Sequence, residues 1–397
     1  MRARLAAVLA ALPRTYWLLW LGTLINRLGG FVVPFLTLYL TQQRGLPISQ
    51  AALMVSLYGA GAFTSALVGG ELADRLGRRP VMLLSFLVAP LNMVALGLVQ
   101  PLALLTVLTF TQGLLTELYR PAVSAAIADL VPSEERPRAF GYLYWAINLG
   151  FAFAPALAGV MARLDYFLLF VGDAATTFVF GLIVLAGVRE TRPAEAHAAS
   201  RSPLPIRLRQ LGASPLMLLF CALALAFGMI YMQAHVALPV DMAAHGLGPE
   251  AYGLAIAVNG MLIVVLGLPA SHAAVRWPRY GAMAVAAVLT GAGFGLTGLA
   301  GTLPLFALSI GVWTLGEIAG STVAPAIVAD LSPVELRGLF QGTYGAAWGL
   351  SAFAGPLVGG VVVQRFGAGA LWLSCLVLGL LLALGYLALG RRARRPA

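Results

Sequence analysis

Twelve apolar runs, each long enough to cross a bilayer, dominate the sequence. A spanning helix needs about 20 apolar residues. Candidates lie at 16–40, 50–73, 81–99, 102–129, 138–162, 166–188, 215–240, 251–275, 280–300, 303–329, 338–363 and 368–390. In 397 residues this leaves short loops and no room for a large soluble domain. The runs are continuous, not alternating, which excludes a transmembrane β-barrel and predicts an all-α membrane protein. Amphipathic periodicity is weak because lipid, not water, bathes the outer faces. Only 10% of residues are charged, against about 25% in a soluble domain, which excludes a soluble enzyme and a disordered chain.

All 25 basic residues are arginine, and the net charge is +10. Their placement decides what that charge means. An even number of spans puts both termini on one side. Twenty arginines fall on that side, three (Arg44, Arg163 and Arg365) on the other, and Arg27 and Arg120 within spans. The positive-inside rule then predicts cytoplasmic termini and an integral protein of the plasma (inner) membrane. The charge is a topology signal and a contact for anionic membrane lipid, not a nucleic-acid surface. Met1–Leu12 reads as a cytoplasmic lead-in helix in preference to a signal peptide. Cys221 and Cys375 lie inside apolar runs, so neither a disulfide framework nor a metal cluster is implied.

The longest polar gap falls between runs six and seven and reads as a cytoplasmic linker, 191–213, between six-helix bundles at 1–190 and 214–397. The two halves repeat. A shift of 201 residues carries Ala128-Asp129-Leu130 onto Ala329-Asp330-Leu331, Pro132 onto Pro333, Glu134 onto Glu335, Arg136 onto Arg337 and Gly141 onto Gly342. The same shift carries Pro155 onto Pro356 and Gly159 onto Gly360, and Glu117 matches Glu317 with one residue less.

Two parallel six-span repeats are the architecture of the major facilitator superfamily, and the chain resembles that superfamily over essentially its whole length. The most specific match is the loop after span two, Gly70-Glu71-Leu72-Ala73-Asp74-Arg75-Leu76-Gly77-Arg78-Arg79. It is similar to the superfamily's signature of glycine, three residues, aspartate, a basic residue, one residue, glycine and two basics. The corresponding loop after span eight, Gly267 to His272, has lost the acid and most basics. The resemblance implies a fold of two pseudo-symmetric six-helix bundles. It also implies a cytoplasmic latch, in which Asp74 contacts the start of span eleven and Arg78 pairs with Asp129 at the end of span four. Within this loop Gly70 would allow close helix approach, and Gly77 a turn with positive φ. The competing reading is that Arg75, Arg78 and Arg79 only enforce topology.

Gly150 to Gly159 in span five, with Pro155, resembles the pattern that marks antiporters of the superfamily, with alanines where two glycines are usual. Gly355-Pro356-Leu-Val-Gly359-Gly360 in span eleven is the fuller form. Pro155 and Pro356 each remove a backbone hydrogen bond and bend the helix, and Gly159 and Gly360 let a neighbour pack at the bend.

Charges inside spans cost about 2.5–3.5 kcal/mol each on insertion scales, so they face cavities or pair. Spans one, four, seven and ten line the cavity in the superfamily. Here they carry Asn26 and Arg27, Glu117 and Arg120, Gln233 and His235, and Glu317. Asp173 lies in span six and Asn259 in span eight. Glu117 and Arg120 share a helix face and could pair with each other. Alternatively Arg27 pairs with Glu117, or the group binds substrate or proton directly. Glu317 has no basic neighbour on its own helix, which makes it the first candidate for proton coupling, ahead of Glu117 and His235. Candidate cavity residues are Asn26, Arg27, Arg120, Tyr144, Asn148, Gln233, Asn259, Trp313 and Trp348, with Trp145 as a further aromatic. An aromatic wall suits amphipathic substrates.

Two departures limit the resemblance. Drug/proton antiporters carry an arginine three residues before the glutamine of span four. Gln112-Gly113 match, but Thr109 stands at the arginine position. Peptide carriers place two glutamates before the span-one arginine, where this chain has Thr23 and Asn26. There is no phosphate-binding loop and no lysine to supply one. No cofactor, metal site or catalytic constellation is expected. The predicted function is that of a monomeric secondary transporter working by alternating access, with protons as coupling ion and small organic molecules as exported substrate. The alternatives are proton symport of a polar metabolite, with Arg27 or Arg120 as anion-binding group, and a non-transporting receptor on a transporter scaffold.

Overall fold

The computed structural model describes residues 12–132, 134–192, 212, 214–274, 277–333 and 337–393. The lead-in at 1–11 and nearly all of the expected linker lie outside these residues. Among those described, every regular element is helical, and twelve helices are long and apolar enough to cross a membrane. They are, in order, spans one (Arg14–Gln43), two (Ile48–Leu76), three (Arg78–Leu98), four (Leu102–Leu130), five (Arg138–Leu164), six (Phe167–Gly187), seven (Pro215–Ala244), eight (Pro249–Gly267), nine (Arg279–Thr297), ten (Leu303–Leu331), eleven (Leu339–Phe366) and twelve (Ala368–Ala393). Outward side chains are apolar as well, among them Leu91, Leu299 and Leu384, as expected where lipid replaces water as solvent.

Three spans are interrupted. Span one ends its first helix at Leu28, restarts at Val32–Leu38 and finishes in a π-helical turn, Tyr39–Gln43. The consecutive glycines at 29 and 30 mark the break. Spans four and seven are interrupted at Leu118 and Met232, but both residues keep helical dihedrals, so the chain holds its course.

The chain forms two compact units, Met1–Pro34 with Leu57–Ala199 and Phe35–Ser56 with Ser200–Ala397. The core of the first is an aromatic cluster: Phe86 lies 4.0 Å from Phe180 and 4.7 Å from Tyr119, ring centre to ring centre. Spans two and four of this unit also cross closely. A Cβ at Gly61 would overlap the carbonyl oxygen of Phe110, and one at Gly113 that of Tyr58.

The second unit includes the far end of span one and the first turns of span two. Phe35 packs edge-on against Tyr252 at 5.1 Å, Thr37 Oγ1 donates to the His235 carbonyl at 2.8 Å, and Gln364 Oε1 accepts from Ser49 N at 3.2 Å. Its core is a stack of Trp313 on Phe294 (5.3 Å) and Phe294 on Trp372 (6.1 Å), with Trp372 Nε1 donating to Asp241 Oδ2 at 2.9 Å.

Candidate functional site

Within the second unit a cavity of about 220 Å³ opens beside Glu317. Glu317 sits at the middle of span ten, and Phe227, Tyr231, Tyr344, Trp348 and Tyr386 wall the space around it. Its carboxylate has donors but, among the described residues, no cation. Asn259 Nδ2 donates to Glu317 Oε2 at 2.7 Å and to Thr314 Oγ1 at 3.0 Å, and the Tyr231 side chain also hydrogen-bonds Glu317. Tyr386 presents a buried hydroxyl with no partner among the described residues. The cavity therefore offers one anion, one free hydroxyl and several ring faces.

Two expected cavity residues, Trp313 and Gln233, take other places. Trp313 is fully buried in the span nine–ten core, because Gly293 leaves room for its backbone to approach. Gln233 Nε2 donates to the carbonyls of Met229 and Gly355, at 2.8 and 2.9 Å, and a Cβ at Gly359 would overlap its Oε1. It ties span seven to the glycine-rich stretch of span eleven. On span five Tyr144 is exposed and Asn148 half-buried, with Asn148 Nδ2 donating to the Tyr144 carbonyl, and Trp145 stacks on Trp20 at 6.4 Å. His235 has its Nδ1 buried without a partner and its ring 6.2 Å from Tyr231.

In the first unit the polar residues form a relay. Arg27 Nη2 donates to Tyr119 OH at 2.6 Å, Tyr119 OH to Asn26 Oδ1 at 3.2 Å, and Asn26 Nδ2 to Thr177 Oγ1 at 2.9 Å. The Thr177 hydroxyl reaches Asp173, whose carboxylate also accepts from the backbone N–H of Val32 at 3.2 Å and of Phe31. Each donor feeds the next acceptor, an arrangement in which the bonds polarise one another. Asp173 thus caps the restarted half of span one. Arg27 makes no ion pair with Glu117. Glu117 Oε2 instead accepts from Arg120 Nε at 2.7 Å, with the Arg120 side chain half-exposed.

The loop after span two turns at Gly77, whose φ of +107° suits glycine. Arg78 then points back. Its Nη1 donates to Asp74 Oδ1 at 2.7 Å and to the Ala73 carbonyl at 2.8 Å, and its Nε to Asp129 Oδ2 at 3.3 Å. Arg75 pairs with Glu71 at 2.5 Å, and Arg79 Nη2 donates to the Leu185 carbonyl. A Cβ at Gly70 would meet nothing within 4 Å, so close helix approach does not account for that glycine. The second unit holds the equivalent clamp in Arg279–Asp330. The 201-residue shift carries Arg78 onto Arg279 as well as Asp129 onto Asp330, a correspondence that attention to the decayed loop alone misses.

Pro155 and Pro356 both lie inside continuous helices. Each of those helices packs on the first span of its own half. Gly150 meets Arg27 of span one, and Gly355 meets Met229 and Met232 of span seven. Gly159 is buried in span five, and a Cβ at Gly360 would overlap that of Ala52.

Tyr119, Thr177, Tyr231, Tyr344 and Tyr386 escape a sequence reading. The only signal for Tyr344 and Tyr386 is a polar ring where the repeat has Leu143 and Leu185 in the first half.

Among known proteins, the uncharacterized MFS-type transporter YttB of Bacillus subtilis (strain 168) is 28% identical over 375 residues, covering 92% of this chain and 93% of its own. A Na(+), Li(+), K(+)/H(+) antiporter of Planococcus maritimus is 22% identical, over 78% of this chain and 80% of its own. Among solved structures, a POT family transporter in complex with a thioalcohol-conjugated peptide superposes with a TM-score of 0.81 at 16% identity, covering 96% of this chain and 97% of the other. The model of the Major Facilitator Superfamily matches residues 19–236 and 234–397, and the chain belongs to that superfamily of membrane transporters.

Proposed function

We propose that the protein is a proton-coupled exporter of small organic molecules, multidrug-like in type, that works by alternating access in the plasma membrane with both termini in the cytoplasm. The observation that carries this reading is Glu317. It is a carboxylate in the middle of a span, in an aromatic cavity, held by Asn259 and Tyr231 and faced by no cation among the described residues. A site of this kind can hold either a proton or a cationic, ring-bearing molecule. Competition for one carboxylate couples the two fluxes in opposite directions. The resemblance to an antiporter over most of the chain supports the same direction. In the first unit the Glu117–Arg120 pair is already self-satisfied, which leaves Glu317 as the exchangeable charge.

The test is flux in proteoliposomes under an imposed pH gradient, with a lipophilic amine dye as substrate. Substrate should move against the proton flow. Movement with the protons would replace export by symport, and binding without flux would leave a receptor. Glu317→Gln should abolish gradient-driven flux, by at least about 100-fold if the proton has no other carrier, and should weaken binding of the cationic dye, because both compete for that carboxylate. Gradient-driven flux at the wild-type rate would remove Glu317 from the mechanism.

A further inference from the structure

A polar hollow in the first unit has no part in the transport reading. It has a volume of about 540 Å³ and lies where spans one and three begin and span six ends. Arg14, Thr15 and Leu18 line it from span one, Arg79 from span three, and Leu185 and Arg189 from the end of span six. Among the described residues Arg14 and Arg189 form no ion pair. Arg79 Nη2 covers the Leu185 carbonyl, while its Nε is buried without an acceptor. Span one starts at Arg14 with no side-chain cap, and Arg14 and Thr15 of its first turn line the hollow, where an uncapped helix start favours an anion.

One acid, Glu190, stands at the rim, and it is already engaged. Its two oxygens accept from the backbone N–H of Arg78, Arg79, Thr191 and Arg192 at 2.9–3.1 Å. Burial pushes this carboxyl up, but those N–H groups outweigh it and hold it below the usual glutamate value. Glu190 therefore orders the loop and leaves the arginines uncompensated.

We propose that this hollow binds the phosphate of an anionic phospholipid. Its floor distinguishes a lipid from a soluble phosphate. Leu185 lines the hollow and is 50% exposed, and Leu182, one turn deeper on the same helix face, is 44% exposed. An acyl chain can run down that face while the headgroup meets three guanidinium groups, as basic pockets between spans bind lipid headgroups elsewhere.

The test uses the purified full-length protein in neutral detergent, titrated with phosphatidylglycerol and followed by native mass spectrometry and thermal melting. Arg14→Gln combined with Arg189→Gln should weaken phosphatidylglycerol binding ~10-fold or more, the size expected for losing charge-assisted hydrogen bonds. Arg391→Gln with Arg392→Gln removes the same charge at the same end and should change binding less than ~2-fold. Equal losses in the two double variants would overturn the site in favour of diffuse attraction. Stabilisation by inorganic phosphate equal to that by phosphatidylglycerol would overturn the lipid. Should the double variant not fold, Arg189→Gln alone is read by the same comparison.

Discussion

Asp173 shows what a single carboxylate can hold in place. It accepts from the N–H groups of Val32 and Phe31 and from Thr177, and so ends a relay that begins at Arg27. Asp173→Ala leaves those donors buried and unpaired, at a cost of about 1–3 kcal/mol. The apparent melting temperature in detergent should fall by several degrees, with Asp173→Asn milder because it keeps an acceptor. Melting of the alanine variant at the wild-type temperature would mean that the cap contributes nothing. The sequence marks Asp173 as costly inside a span, but not which way it faces. Its partners outside its own helix, Phe31 and Val32, come from span one, with Val32 141 residues away, and a lone sequence has no term for that distance. The same limit sends Trp313 into the core and Gln233 into a helix crossing, although both look like cavity residues when read along the chain.

At the scale of elements, helix pairs are set by where side chains are missing. Spans two and four touch backbone to backbone at Gly61 and Gly113. Gly113→Ala should push them apart and destabilise by roughly 1–3 kcal/mol. Gly70→Ala, where space is open, should be close to neutral in the same thermal melt. If both variants melted alike, the crossing would not depend on the missing side chain. The span boundaries themselves are legible in advance because length and hydropathy alone decide them. The predicted run at 166–188, for example, differs from the observed Phe167–Gly187 by one residue at each end. The break in span one is not legible in the sequence, although its two glycines are visible, because glycine is common in membrane helices that do not break.

For the whole molecule, the arginine distribution makes a statement about sidedness. A cysteine at Leu299, highly exposed between spans nine and ten, should react with an impermeant maleimide in intact cells. One at Arg192, after span six, should react only after lysis. The two natural cysteines are buried and should stay silent. The reverse pattern would invert the topology. At this scale the repeat was the most informative signal. It revealed two related halves, and the Arg78–Asp129 and Arg279–Asp330 clamps show the correspondence extending to ion pairs even where the surrounding loop has diverged. It could not show that residues 35–56 associate with the other half, since that depends on contacts such as Phe35 with Tyr252 and not on chain order.

That exchange takes place inside a single span. The chain passes from one unit to the other just after Pro34, four residues beyond the glycine pair and within one turn of the helix that Asp173 caps. Span one is thus shared between the two units. Its near segment belongs to the first unit and its far segment to the second, and the start of the restarted helix is held within the first unit by Asp173 of span six.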